Sequence, residues 1–170
     1  MNHINSVLNQ YHINTPNKIA HFFSQIMVES GNGVYTDELG DAAYLSYLDY
    51  MLGNNGPGQG ACYRGASYLQ LSGKNNYRSF GTYINDSHVL TNGYSYVSKN
   101  YAWESAAWFY SIHSNANNLA ANGASVEEIT RSINGGYNAL EKRKASYQKA
   151  KSFLIVIISI HHYTIRNIIH

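Results

Sequence analysis

The stretch from Thr15 to Gly33 constrains the fold more than any other part of the chain. Thr15 can cap a helix, and Pro16 suits the first helical position, where its missing N–H costs nothing. Ile19, Phe22, Phe23, Ile26 and Met27 then recur at three- and four-residue spacing, which predicts one buried helical face. Gly31 and Gly33 follow, so the helix should end near Glu29–Ser30. Such a face needs a core to pack on. The 170 residues suffice for one domain with its own core and are too few for two ordinary ones. Cys62 is the single cysteine, so no internal disulfide can form and packing must hold the fold.

Further elements follow from spacing and punctuation. A second helical stretch is predicted over 41–52, with Ala43, Tyr44, Leu48, Met51 and Leu52 turned inward. Gly53 to Gly60 reads as a loop by composition. Tyr63 to Leu71 is short and alternating, which means extended chain or a small hairpin. A helix starts after Gly73 and carries Tyr77 and Phe80, and a long one covers about 101–118. Trp103 and Trp108, five apart on it, read as core rather than as sugar platforms. Ser125 with Glu128 makes a capping-box pattern that opens a short helix ending at Asn134-Gly135-Gly136. The last helix runs over about 138–153. The predicted class is mainly α (α+β), with one small β element around Tyr63 to Leu71.

Residues 154–170 differ in composition from the domain over 1–153. This apolar tail lacks helical punctuation and a clear period, so it is either a docked strand or helix, or a stretch outside the domain. Its run from Phe153 to Ile160 falls short of the about 20 apolar residues that cross a bilayer, and no membrane span is expected. The first residues show no basic stretch followed by an apolar one, so no ordinary signal peptide is read there.

Charged residues make up only 13% of the chain, and Asn, Ser, Tyr and Gly take their place. A surface of amides, hydroxyls and phenols suits a neutral, hydroxyl-rich ligand. The formal charge of +2, with no Lys/Arg run, offers no stripe for neutralising phosphates, so no nucleic-acid partner is expected. The eight histidines have no metal-ligand spacing, and the side chains of the adjacent pair His161-His162 diverge on a helix or a strand. Cys62 with His88 or His113 would suit a cysteine peptidase, but a glycine-rich loop does not stabilise a thiolate as a helix start does.

Glu29 is the residue most suited to chemistry. It lies in the last turn of the first clear helix, where the negative end of the dipole disfavours a carboxylate, and Phe23, Met27 and Val28 can desolvate it. Both effects raise a carboxyl pKa, which a general acid needs near neutral pH. An exposed Glu at a helix end is the plainer alternative. Glu38 follows nine residues on, past a glycine-containing turn, with Asp37, Asp41 and Asp49 as competitors. Two carboxyls flanking a glycosidic bond are the equipment of glycoside hydrolysis, and a separation of ~6.5–9.5 Å implies inversion, because water must fit between base and sugar.

Three strings carry a resemblance. INTPNKIAHFFSQIMVESGNG, from Ile13 to Gly33, looks like the helix of family 19 chitinases and related endolysins that ends in a Glu-Ser-Gly or Glu-Thr-type sequence. YRGASYLQLSGKNNYRSFG, from Tyr63 to Gly81, is similar to that family's second signature, a Tyr-Arg-Gly turn leading into Gln-Leu-Thr/Ser-Gly and Asn-Tyr. ITRSINGGYNALEKRKASYQKA, from Ile129 to Ala150, resembles the third, the Ile-Asn-Gly-Gly turn before an arginine-bearing helix. In this order they span about Ile13 to Lys151, nearly the whole domain. The resemblance implies a lysozyme-like bilobal helical domain with its cleft between a helical lobe and the β element.

Residue by residue, the resemblance makes Glu29 the proton donor and Glu38 the base that, with Ser72, directs water to the opposite face. Gln70 and Asn76 fall where the family has cleft residues holding sugar, with Tyr77 beside them. Asn134 and Arg143 match further substrate-side positions, although an amide before two glycines is also a natural turn former. The implied reaction is hydrolysis of a β-1,4 bond in an N-acetylglucosamine polymer, by a monomer without metal or organic cofactor. Compactness and the lack of plant-type disulfides favour peptidoglycan over chitin. Two positions depart from the pattern: Val28 stands where the family usually has His, and Ala66 where it usually has a second Arg. Either change could alter substrate preference or weaken activity, and a non-catalytic glycan-binding protein that kept the fold is the contrasting reading.

Overall fold

A computed structural model of the chain describes the backbone of residues 3–168 and the side chains of residues 3–154. Nine α-helices stand among the described residues: α1 (His3–Gln10), α2 (Pro16–Glu29), α3 (Gln59–Cys62), α4 (Lys74–Ile84), α5 (His88–Asn100), α6 (Ala102–Trp108), α7 (Ala116–Ala121), α8 (Val126–Asn134) and α9 (Leu140–Ile168). The fold is mainly helical, as the sequence predicts. The β element reduces to two isolated bridges, Asp37 with Ala66 and Ala66 with Leu71.

Helix α2 is the axis. Thr15 caps it by accepting from Lys18 N, Pro16 occupies the first turn, and Ser30 closes it with its N–H on the Ile26 carbonyl. Phe22 and Ile26 are fully buried, and burial of such side chains contributes about 1.5–3 kcal/mol each. Ile19, Phe23 and Met27, one step around the helix, instead line a groove against α9. α2 packs more extensively on α9 than on any other element, with α7 and α8 beside it. α1, α3, α4, α5 and α6 complete the molecule, and Tyr77, Phe80, Val89, Val97 and Trp108 join the same core.

Two predicted elements are corrected, and helix α5 is an addition to them. The helix over 41–52 is only a 3₁₀ turn, Tyr44–Leu48. With three residues per turn, Leu45 and Leu48 share the buried face, and Tyr44, Met51 and Leu52 are exposed. The long helix over 101–118 stops at Trp108. Phe109–His113 then form a wider π turn, and left-handed Asn115 separates it from α7. α5 has no predicted counterpart. Its buried face, Val89, Gly93 and Val97, has a glycine at the centre of the stripe, which hides the period. Gly93 kinks the helix at φ 66°, and a Cβ there would meet the Cys62 carbonyl oxygen at 2.5 Å.

The capping box of α8 forms as predicted, Ser125 Oγ accepting from Glu128 N while the Glu128 carboxylate accepts from Ser125 N. Helix α9 runs without interruption across the boundary predicted at 153–154. The side chains of 155–170, His161 and His162 included, lie outside the described residues. No described helix is long and apolar enough to cross a membrane.

Candidate active site

Glu29 and Glu38 come to one cleft of about 430 Å³, whose other lining residues are Tyr35, Asp37, Leu39, Gln70 and Ser72. The last turn of α2 supplies Glu29. The segment between Gly33 and the 3₁₀ turn supplies Glu38, and the chain after Ala66 supplies Gln70 and Ser72.

Glu38 is held by backbone on both sides. Its N–H donates to the Gly65 carbonyl at 2.8 Å, and its Oε2 accepts from Gly65 N at 2.8 Å. The Asp37–Ala66 bridge continues this pairing by one residue. Its side chain therefore takes its place from the Arg64-Gly65-Ala66 turn. Gly65 leaves room for Gln70 there, because a Cβ would lie 2.3 Å from Gln70 Oε1 and 3.2 Å from Ser72 Oγ, and the Gln70 side chain would have to move. Gln70, at φ 55°, donates from Nε2 to the Ser67 carbonyl, and Ser72 Oγ donates to the Gln70 carbonyl at 2.9 Å.

Glu29 is held by side chains. Arg143 Nη2 donates to Glu29 Oε1 at 2.5 Å, Nη1 to Gln25 Oε1 at 2.8 Å, and Nε to the Asn138 carbonyl at 2.9 Å. Arg143 is only 1% exposed, whereas Glu29 is 21% exposed and faces the cleft. With its amide turned to satisfy both neighbours, Asn134 donates to Glu29 Oε1 at 3.1 Å and accepts from Arg143 Nη2 at 3.0 Å. Gln25 is buried beneath, within 3.3 Å of Ser24 Oγ and Thr130 Oγ1. This buried cation faces Glu29 from another helix, beyond what its place at a helix end indicates.

The other predicted residues divide clearly. Gln70 and Ser72 line the cleft with the two glutamates. Asn76 stands behind it, its Nδ2 donating to the Ser72 carbonyl at 2.8 Å. Tyr77 does not line the cleft: it is fully buried, and its hydroxyl donates to the Arg64 carbonyl at 2.6 Å. Burial pushes its phenol far above the ordinary range. Its place is to hold the turn that holds Glu38. Arg143 and Asn134 reach Glu29, and Arg143 is too buried to offer its guanidinium to a sugar. Gln25 is an addition to the site. Its signal in the sequence is a polar residue one turn before Glu29 on the same helix.

The competing carboxylates separate as well. Asp49 is buried and accepts from Gly58 N and Gly60 N, and Asp41 accepts from Tyr44 N. Asp37 lines the cleft but accepts a hydrogen bond from Ser98 Oγ on α5. Cys62 closes the short α3 rather than lying in a loop, and burial pushes its thiol up. Trp108 is in the core, and Trp103 stacks on Tyr68 at 4.1 Å. Ala66 is fully buried at the centre of both bridges.

No protein-family model matches the sequence. A glycosyl hydrolase family 19 domain-containing protein of Haemophilus influenzae is 29% identical over 121 residues, 69% of this chain and 50% of the relative. The chain thus spans about half the length of that curated relative. Among solved structures, chitinase C of Streptomyces griseus superposes with a TM-score of 0.74 at 22% identity, covering 89% of this chain and 82% of the other. A bacterial family 19 chitinase gives 0.69 at 20% identity, covering 89% and 84%. A class IV family 19 chitinase of Zea mays gives 0.61 at 22%, covering 86% and 77%. The chain therefore has the fold of these family 19 chitinases, and its resemblance to glycoside hydrolase family 19 is borne out.

Proposed function

We propose that the chain is a glycoside hydrolase that cleaves β-1,4 bonds in N-acetylglucosamine-containing polymers by a single, inverting displacement. One observation carries this reading: Glu29 and Glu38 arrive from separate elements at one open cleft, each held by fixed hydrogen bonds. Glu29 protonates the leaving oxygen, and Glu38, with Ser72 beside it, directs a water to the opposite face of the sugar. Gln70 offers an amide to the sugar, and Asn134 and Arg143 position Glu29. The reaction needs no metal or organic cofactor. Exposed Tyr35 and Leu39 on the cleft wall suit the apolar faces of a sugar ring.

Peptidoglycan is the favoured polymer, with chitin second, since the compact chain has a single cysteine and none of the plant-type disulfides. Release of reducing ends from both polymers, measured side by side with purified protein, tests the reading. Product formation on either supports a hydrolase, and NMR of fresh product should give the α-anomer. A β-anomer would remove the inverting assignment. Binding without any product would favour the alternative, a glycan-binding protein that retains the fold.

A further inference from the structure

Positive charge gathers on the first turns of α9, where Lys142, Arg143, Lys144, Lys149 and Lys151 stand. Arg143 is engaged by Glu29, Lys144 by Glu127 and Glu141, and Lys151 lies over the Tyr147 ring. Lys142 and Lys149 are exposed and make no ion pair among the described residues. Each lines a hollow on the seam between α2 and α9. Lys142 borders one of about 530 Å³ that meets the cleft at Glu29 and is walled by Met27, Val28, Asn32 and Asn138. Lys149 borders one of about 410 Å³ lined by Ile19, Phe23, Met27 and Phe153. The two hollows share Met27, Asn32, Ala145 and Ser146, so they form one trough leading away from Glu29. Both fall within the ~300–1,000 Å³ usual for ligand sites.

We infer that this trough receives the acidic peptide branch carried on alternate sugars of peptidoglycan, an inference that rests on the hydrolase reading above. An unsubstituted N-acetylglucosamine chain is linear and neutral. It has nothing to place in a side trough and no charge for two lysines. A stem peptide has short methyl-bearing side chains for the Met27–Phe153 wall and free carboxylates for Lys142 and Lys149. The amides of Asn32 and Asn138 can bond its peptide groups. Val28, one of the two departures from the family pattern, stands in this wall next to Glu29, where the branch would leave the sugar, and adds an apolar contact there.

The test compares three polymers: intact peptidoglycan, the same strands stripped of stem peptides by an amidase, and chitin. The wild-type chain should cleave stem-bearing strands with the higher kcat/KM. In Lys142→Glu/Lys149→Glu the ratio of kcat/KM on stem-bearing over stripped strands should fall about tenfold, the scale of two weak ion pairs reversed. An unchanged ratio, or equal wild-type cleavage of both strands, overturns the inference. Should no polymer be cleaved, the hydrolase reading fails, and co-sedimentation with the two kinds of strand decides the trough separately. A preference for stem-bearing strands that the double variant loses supports the branch site, and equal pelleting overturns it.

Discussion

The guanidinium of Arg143 is buried against the core while the carboxylate it holds, Glu29, opens to the cleft, so the pair joins the protein interior to the cleft surface through a 2.5 Å contact. Arg143 fixes where Glu29 sits, and Gln25 and the Asn138 carbonyl fix Arg143.

Glu29→Gln should abolish turnover while leaving the fold nearly intact, because the amide can still accept from Arg143 but cannot deliver a proton. The expected loss is about three to five orders of magnitude, the scale of general acid catalysis with its charge development. Reducing-end assays and a melting curve check it. More than a tenth of the wild-type rate would remove Glu29 from the acid's role.

Arg143→Ala should damage stability and activity together. It leaves buried Gln25 without its donor and Glu29 with Asn134 alone, and since Glu29 opens to the cleft the cost should lie at or below the about 3–5 kcal/mol of a broken buried pair. Urea denaturation reads the first effect. Its size should shrink in the Glu29→Gln background, and full additivity would mean that the two residues do not act as a pair.

Gly65→Ala tests how the cleft floor is built. The new methyl would meet the mobile end of Gln70, so the side chain should move aside and the fold should survive. Activity should drop about ten- to hundredfold, as for misplacement of a cleft group by roughly an ångström. Wild-type kinetics in this variant would show that Gln70 does not contact substrate.

The parts of this molecule legible in its sequence are those that local spacing determines. The Thr15-Pro16 start of α2, its stripe of Phe22 and Ile26, and the Ser125–Glu128 box depend on residues within one or two turns. α5 escaped because Gly93 takes the place of an apolar side chain at the centre of its face. The site divides in the same way. Glu29 stands out as a carboxylate at a helix end, but nothing local indicates that Arg143, 114 residues later, is buried on it. Tyr77 has the type and motif position of a cleft aromatic, and only packing decides that its ring faces inward.

His21 gives stability a pH dependence. It is 2% exposed, stacked on Tyr147 at 4.3 Å, and its Nδ1 has no partner among the described residues. Burial pushes its imidazole down from 6.5 to about 4. Between these values the unfolded chain binds the extra proton, so stability rises with pH through that window and declines as pH falls from 6.5 toward 4. Melting temperatures across pH 4–7 should show this slope, and His21→Phe should flatten it. An equal slope in the variant would assign it to other groups.

Residues 155–170 are proposed to be dispensable for catalysis. Stopping the chain after Leu154 keeps every residue of the cleft and should leave specific activity within about twofold and melting within a few degrees, as for a peripheral element. Failure of the shortened chain to fold would move the domain boundary to the end of α9.

The reciprocal bonding of Glu38 with Gly65 sets unequal limits on how this protein can change over generations. Any side chain at position 65 displaces Gln70, so a change beneath the second carboxylate reaches the cleft at once. Tyr35, Leu39, Lys142 and Phe153 are exposed on the rim and can be exchanged one at a time. If the chain is the hydrolase proposed, a lineage built on it would meet new polymers by altering its rim while the two held carboxylates are inherited whole.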